Sequence, residues 1–113
     1  MGCLFCDIAN GIVKSDCIYE NDDVIAFHDI YPQAPHHVLI IPKQHISTLN
    51  DINDQQIELM GSLSIAAKHI AAELDIADAG YRLVMNCNAD AGQTVFHIHM
   101  HLLAGRQLAW PPG

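Results

Sequence analysis

The stretch FHIHMHLL, from Phe96 to Leu103, alternates histidine with apolar residues. Side chains two residues apart on a β-strand point to the same side and lie about 6.5–7 Å apart. The stretch therefore predicts a strand that presents three histidines on one face: His97, His99 and His101. Four apolar residues would line the other face, against the core: Phe96, Ile98, Met100 and Leu102. Three imidazoles on one face favour a metal site or chemistry on a substrate over a plain solvated surface.

Three more segments predict the other four strands of an antiparallel sheet. CIYENDDVIAFHDI predicts two strands around a polar turn at residues 20–23, because apolar residues flank a run of acidic and amide side chains. HHVLIIPKQH predicts a third strand that ends at Pro42. YRLVMNCN predicts a fourth strand, and TVFHIHMHLLAG extends the histidine stretch into a long last strand.

Two helices are predicted outside the sheet. The main helix covers residues 54–74, with Asn53 as its N-cap and Gln56 completing a capping box. Six residues recur at helical spacing along it: Ile57, Met60, Ser64, Ala67, Ala71 and Leu74. Residues 4–10 predict a short helix or turn. We therefore expect one α+β domain over residues 1–113, with a five-stranded antiparallel sheet, one main helix and a short N-terminal helix.

The composition of the 113-residue chain limits the classes of function. Half of the residues are hydrophobic and 16% are charged, which excludes global disorder. The net charge of −8 disfavours broad binding to nucleic acid or to an anionic membrane, because no large basic surface is available. No segment reads as a membrane span, and MGCLFCDIANG lacks the features of a secretory signal. We therefore expect a cytoplasmic protein whose four cysteines are thiols or metal ligands rather than disulfides.

The segment AGQT, just before the histidines, indicates what they act on. Gly92 lets backbone N–H groups approach an oxyanion, because glycine has no Cβ. Gln93 and Thr94 add side-chain donors. Hydrogen-bond donors beside an imidazole suit a phosphate better than a closed metal site.

At this point the sequence resembles a known family. HIHMHLL matches the pattern His-φ-His-φ-His-φ-φ, where φ is apolar, of the histidine triad (HIT) superfamily. Together with FHDIYPQAPHHVLIIPKQHIS, GYRLVMN, AGQTVFHIHMHLL and GRQLAWPPG, the chain resembles the Hint branch, the purine nucleoside phosphoramidases. The resemblance implies a homodimer in which strands of two subunits form one continuous sheet. The tail, residues 105–113, would lie at the dimer interface and place Trp110 close to the partner's active site.

The resemblance also implies a reaction and roles for the histidines. Family members cleave the P–N bond of purine nucleoside 5′-phosphoramidates, act on aminoacyl-adenylates, and release AMP or GMP. His99 would attack the α-phosphorus and form a nucleotidyl-histidine that water then hydrolyses. His101 would bind the phosphate and assist proton transfer, and His37 would orient His99. Three further residues would contact the phosphate or the leaving group: Asn86, Gln93 and Thr94. The family more often has serine at the position of Thr94.

The same resemblance assigns the nucleoside end of the site. Asp29 would accept hydrogen bonds from the ribose hydroxyls. Four apolar residues would form a slot for the base: Phe5, Ile8, Phe27 and Ile30. Taken one at a time, each of the four is better explained as part of the core, and only the family match favours the slot.

Cys3-x-x-Cys6 has the spacing of a pair of zinc ligands. His45 could supply a third ligand and His97 a fourth, and in related histidine triad proteins this combination binds a structural zinc. Such a zinc would stabilise the fold and take no part in catalysis, since four protein ligands leave no open position. The alternative is two packed thiols, because free cysteine behaves as a small apolar residue.

Three other interpretations of function stay open. A dinucleoside polyphosphate hydrolase shares the triad and the GQTV flank, although WPPG and DIYPQAP favour the phosphoramidase. A nucleotide-binding scaffold without essential activity is a second alternative. A metal hydrolase with all three histidines on one zinc is the third, and it fits the donor-rich flank least well.

Overall fold

Five strands form one antiparallel sheet in this computed structural model, which describes residues 2–113. The strands are β1 (Cys17–Glu20), β2 (Val24–His28), β3 (His36–Pro42), β4 (Tyr81–Val84) and β5 (Met100–Ala104). Their order in the sheet is β1-β2-β3-β5-β4, and every neighbouring pair is antiparallel. Helix α1 (Leu4–Ala9) and helix α2 (Ile57–Glu73) complete the fold with three short 3-10 turns. The predicted α+β class and the five-stranded sheet are confirmed.

The two helices cover opposite faces of the sheet. One face packs against five residues of α2: Leu63, Ala66, Ala67, Ile70 and Ala71. The other face packs against Phe5 and Ile8 of α1. Successive residues of β3 pack into the two apolar clusters in turn, since Val38 faces α2 and Leu39 faces α1. The main core thus leaves the α1 face of the sheet free to carry the histidines.

The register of β3 and β5 sets two histidines side by side. His37 lies opposite Leu103, and Leu39 lies opposite His101. His37 and His101 are therefore diagonal neighbours on one face of the sheet, within reach of each other's rings.

The last strand is shorter than predicted. It begins at Met100, and residues 95–97 form a bend before it. In the register of the two strands Ile98 would face Pro42, which has no N–H with which to continue the ladder. Ile98 instead donates its N–H to the carbonyl of Ile46, at 2.8 Å. Phe96, predicted to face the core, is 47% exposed because it lies on the bend.

The main helix confirms its predicted cap but not the whole of its predicted face. Asn53 accepts the N–H of Gln55, and Gln56 accepts the N–H of Asn53, as in a capping box. The first turn, residues 54–56, is a 3-10 turn, so the α-helix proper begins at Ile57. Ile57 and Ser64 are exposed, because the buried stripe is rotated toward Leu63.

The predicted short helix at residues 4–10 is present as α1. Within residues 2–113, neither helix combines the length and the apolar character that crossing a membrane requires.

Candidate active site and metal centre

A backbone carbonyl determines the tautomer of His99. Its Nδ1 atom lies 2.8 Å from the carbonyl oxygen of His97, and a carbonyl can only accept a hydrogen bond. The Nδ1 atom of His99 therefore carries the hydrogen and donates it. In the neutral ring this leaves the lone pair on Nε2, which is the atom that can attack an electrophile. The ring is buried to 6% exposure, which holds it in this orientation.

His37 bonds to His101 and not, as predicted, to His99. The Nδ1 atom of His37 accepts the backbone N–H of Gln33 at 3.0 Å, so its hydrogen lies on Nε2. That Nε2–H donates to Nδ1 of His101 at 2.9 Å. The prediction was wrong because His99 lies ahead of β5, while His101 lies on it, diagonally next to His37. His101 is left with its own hydrogen on Nε2.

The rings of His99 and His101 stand edge to face, with centroids 5.0 Å apart. One ring carries a lone pair on Nε2 and its neighbour carries a hydrogen on Nε2. This pairing can combine nucleophilic attack with proton donation on one substrate.

Burial keeps His101 and His37 neutral. It lowers the pKa of His101 to about 4, with further lowering by His99 and His37 and partial opposition from Asp29. Burial also lowers the pKa of His37, again opposed by Asp29, whose Oδ2 lies 3.5 Å from Nε2 of His37. Both rings are therefore neutral at pH 7, as the hydrogen-bond chain from Gln33 to His101 requires.

The predicted base slot is only partly assembled. Phe5, Ile8 and Phe27 are buried together in the α1 core, where the Phe5 ring meets the His99 ring edge-on at 5.1 Å. Ile30 is 83% exposed and does not join them. Asp29 lies at the start of the same loop, next to His37, and its Oδ1 accepts the N–H of Tyr31.

The loop before the histidines contains one clear correction. Gln93 is buried, and its side-chain oxygen accepts the N–H of Asn88 at 2.9 Å. Its Nε2 donates to the carbonyls of Ser47 and Val95, at 2.9 and 3.1 Å. Both side-chain hydrogens are thus used inside the protein, so Gln93 braces the loop and does not donate to a phosphate.

The other predicted phosphate contacts remain accessible. Gly92 has a φ of +84°, a conformation that glycine adopts without strain. Thr94 is exposed, which leaves its hydroxyl open to a ligand, and Asn86 is half-buried at the start of the loop.

The structure brings together all four predicted metal ligands: Cys3, Cys6, His45 and His97. Their ligand atoms lie within 4.8 Å of one another. The Nδ1 atom of His97 is 3.5 Å from each of the two sulfurs and 3.2 Å from Nδ1 of His45. The sulfur of Cys6 is 3.2 Å from the same nitrogen of His45.

These distances fit a single tetrahedral metal ion. In a tetrahedral site, Zn–S bonds are about 2.3 Å long and Zn–N bonds about 2.0–2.1 Å. Two ligand atoms then lie about 3.3–3.6 Å apart when at least one of them is a nitrogen. The tautomer of His97 fits too, because its Nε2–H donates to the carbonyl of Pro42 at 2.7 Å. The lone pair of His97 therefore lies on Nδ1, facing the cluster. Burial lowers the pKa of His97, which favours the neutral ring that a metal needs.

Asp29, His37 and His101 also lie within 4.8 Å of one another, but they do not suit a metal. The N–H of Gln33 occupies Nδ1 of His37 and forces the hydrogen onto Nε2. That nitrogen then has no lone pair to offer a cation between the three groups. This cluster is a hydrogen-bond chain, in contrast to the one around His97.

Comparison with known proteins identifies the family. The model of the HIT domain family matches residues 10–108. The chain belongs to the HIT family. Its predicted membership is thereby confirmed, and the matched span contains the three histidines of the triad. The span begins after Cys3 and Cys6, so half of the metal cluster comes from outside it.

Individual relatives align with nearly the whole of this chain. The purine nucleoside phosphoramidase of Escherichia coli K12 is 48% identical over 105 residues, which are 93% of this chain and 88% of the relative. An uncharacterised HIT-like protein of Synechococcus elongatus is 46% identical over 110 residues, or 97% and 96% of the two chains. The crystal structure of a HIT family hydrolase from Legionella pneumophila superposes with a TM-score of 0.97 at 52% identity, over 99% and 100% of the chains.

Besides the carbonyl of His97, which sets the tautomer of His99, two backbone groups of the site escaped prediction. The N–H of Gln33 and the carbonyl of Pro42 set the tautomers of His37 and His97. Sequence patterns describe side chains, and neither group belongs to one. The one feature of the sequence that pointed to either group was Pro42, which is predicted to end a strand.

Proposed function

We propose that this protein is a hydrolase that cleaves the P–N bond of purine nucleoside 5′-phosphoramidates, also accepts aminoacyl-adenylates, and releases AMP or GMP. The observation that carries the proposal is the tautomer of His99, whose Nδ1–H is held by the His97 carbonyl beside a proton-bearing His101. The 48% identity with a purine nucleoside phosphoramidase supports the same reaction.

The proposed reaction uses the two histidines in turn. Nε2 of His99 attacks the α-phosphorus, and the bond from phosphorus to nitrogen breaks as the new bond to His99 forms. The departing amine takes the Nε2 proton of His101, and the negative charge left on that ring is balanced by the positive charge of the phosphorylated His99 ring until water returns a proton. A water molecule then attacks the nucleotidyl-histidine, returns one proton to His101, and frees the nucleoside monophosphate. His37 keeps the His101 ring in place through the bond from its Nε2–H.

Binding of the nucleotide is proposed to use both ends of the site. Asp29 would accept hydrogen bonds from the ribose hydroxyls, since its carboxylate is partly exposed and lies 3.5 Å from Nε2 of His37. The base would lie against the apolar cluster of Phe5, Ile8 and Phe27, with Ile30 closing over it from the loop. The backbone at Gly92, the hydroxyl of Thr94 and the amide of Asn86 would contact the phosphate or the leaving group.

The cluster of Cys3, Cys6, His45 and His97 is proposed to hold a structural zinc. Two thiolates and two imidazoles at tetrahedral spacing are a donor set that zinc favours. When bound, the ion would tie α1 and the segment after β3 to the backbone of the triad. Catalysis would need no cofactor.

Assembly is proposed to be a homodimer with one continuous sheet. The edge strand β4 supports this, because its outer side has no neighbouring strand within residues 2–113. The tail, residues 105–113, would complete the partner's active site through Trp110. That ring is 81% exposed, with the guanidinium of Arg82 at 6.0 Å. The ligands would be purine nucleoside monophosphates and phosphoramidates, and the acidic net charge argues against nucleic acid or a membrane surface as partner.

The test is release of AMP from adenosine 5′-phosphoramidate, with His99→Asn as the inactive control. Rates on a dinucleoside polyphosphate, measured side by side, separate the proposed activity from its nearest alternative. Tight nucleotide binding without turnover of either substrate would favour the scaffold instead. A rate that survives chelation of zinc would exclude the metal hydrolase.

A further inference from the structure

Cys3 and Cys6 stand in a geometry that permits a disulfide. Cys3 caps α1, and its sulfur accepts the N–H of Cys6 at 3.4 Å. Residues three apart in a helical turn have Cα atoms about 5 Å apart, inside the range of about 4.4–6.8 Å that a disulfide spans. Both residues are free thiols and half-buried, so a small oxidant can reach them. The pair can therefore close with little movement of the backbone.

The other two cysteines lie outside this pair. Cys17 is exposed at the start of β1, and Cys87 is half-buried in the loop after β4. Neither is among the residues that surround His97. Both can be replaced without touching the cluster, which makes them suitable controls.

Two contacts connect the cluster to His99. Phe5 lies between the two cysteines on α1, and its ring meets the rings of His97 and His99 with centroids at 6.0 and 5.1 Å. His97 offers its Nδ1 to the cluster, while its carbonyl holds the Nδ1–H of His99. A change at the two sulfurs can therefore affect His99 in two ways, through the Phe5 side chain and through the backbone carbonyl of His97.

We propose that Cys3 and Cys6 form a site of reversible oxidation by hydrogen peroxide, at which disulfide formation expels the zinc and releases α1 from His99. The two thiolates give up two electrons and join through a sulfur–sulfur bond. The peroxide accepts those electrons with two protons and leaves as two molecules of water. Disulfide sulfurs are poor ligands, so only His45 and His97 remain, and two ligands do not retain the ion. The inference rests on the proposed zinc but not on the proposed hydrolysis.

The decisive experiment uses the zinc-loaded full-length chain with Cys17→Ser and Cys87→Ser, in which only the proposed pair can react. Zinc release is followed with a chromogenic chelator during titration with hydrogen peroxide, and intact mass is recorded at each step. We expect one zinc released for each chain that loses two hydrogens. Dithiothreitol followed by added zinc should restore both readings. The same chain with Cys3→Ser added should form no intramolecular disulfide.

Amide hydrogen exchange tests the effect on α1. The N–H groups of Asp7 and Asn10 are bonded to the carbonyls of Cys3 and Cys6, so their exchange should rise at least tenfold on oxidation. Unchanged exchange after complete disulfide formation would overturn the coupling to His99. Three outcomes would overturn the switch. The disulfide form could retain its zinc, zinc could leave only when the mass shows oxygen atoms added to the chain, or the reduced chain could take up no zinc. All these readings are independent of any phosphoramidate, so a failure of the proposed hydrolysis is seen separately.

Discussion

The Nε2 atom of His37 lies 2.9 Å from Nδ1 of His101, and the N–H of Gln33 fixes the direction in which that bond is donated. A ring that already receives a hydrogen on Nδ1 resists a second proton there. Burial first, and then His99 and His37, lower the pKa of His101 far below the usual range of histidine, and the hydrogen bond from His37 agrees with the neutral ring. That hydrogen bond also leaves the Nε2–H of His101 as the proton beside His99.

Replacing His99, the proposed nucleophile, should abolish turnover without abolishing nucleotide binding. His99→Asn removes the attacking Nε2, so kcat for adenosine 5′-phosphoramidate should fall by about a thousandfold or more. The dissociation constant for AMP, measured by calorimetry, should change by less than about threefold. His69→Asn is the matched control, because His69 is exposed on α2 and stacks on Tyr19. Substantial activity in the His99 variant would refute the assignment.

Removing His37 should raise the pKa of His101. His37→Ala deletes both a donated hydrogen bond and a repulsive neighbour, although burial continues to hold the pKa below 6.5. An NMR titration of the His101 ring should therefore move its midpoint upward from about 4. The same titration with His36→Ala should leave the midpoint unchanged, and an unmoved midpoint in the His37 variant would contradict the hydrogen-bond chain.

Stability should decline as the solution becomes acidic. Burial lowers the pKa of His101, His37 and His97 in the native state. Between about pH 6.5 and pH 4 the unfolded chain therefore binds protons that the native protein does not, and its free energy falls relative to the native state. The stabilisation is fully present above pH 6.5 and is lost by at most about 1.4 kcal/mol per pH unit for each histidine. Urea unfolding at several pH values measures it, and His101→Asn should make the decline shallower. An equally steep decline in that variant would place the effect elsewhere.

Removing the proposed zinc should weaken the fold as a whole. A ligand that binds only the native state at a thousand times its dissociation constant adds about 4 kcal/mol to the free energy of unfolding. Cys6→Ser, or a strong chelator, should therefore lower the melting temperature by several degrees and reduce the zinc content measured by elemental analysis. Cys87→Ser offers the comparison, as a half-buried thiol outside the cluster. Equal melting temperatures for the two variants would argue for packed thiols.

Gln93 and Thr94 should separate stability from activity. Gln93→Ala removes three hydrogen bonds that hold the loop and should lower the free energy of unfolding by about 1–3 kcal/mol. Thr94→Ala changes an exposed hydroxyl, so it should leave stability unaltered and lower kcat/KM instead. Denaturant titrations and steady-state kinetics on both variants give the comparison, and the reverse pattern would show that their roles have been exchanged.

Local patterns were enough to predict the fold class and the capping box at Asn53. Each depends on spacing along the chain, which the sequence displays directly. The start of β5 at Met100 was not predicted, because it depends on which residue of the last strand lies opposite Pro42, which has no N–H. The exposure of Ile57 and Ser64 on α2 was not predicted, because a helix with many small and apolar residues can pack at several rotations about its axis.

By itself, the sequence determined that three histidines alternate next to a loop with a glycine and polar side chains, that the chain resembles the HIT family, and that two cysteines have the spacing of metal ligands. Only the tertiary structure decided the tautomers of the three histidines and the hydrogen-bond partner of His37. The Pro42 carbonyl turns the lone pair of His97 toward the cysteines, the His97 carbonyl leaves the lone pair of His99 on Nε2, and the partner of His37 is His101. The physical reason is that the tautomer of an imidazole follows from the donor or acceptor it meets in space. Here that donor or acceptor is either a backbone group or a histidine brought close by strand register.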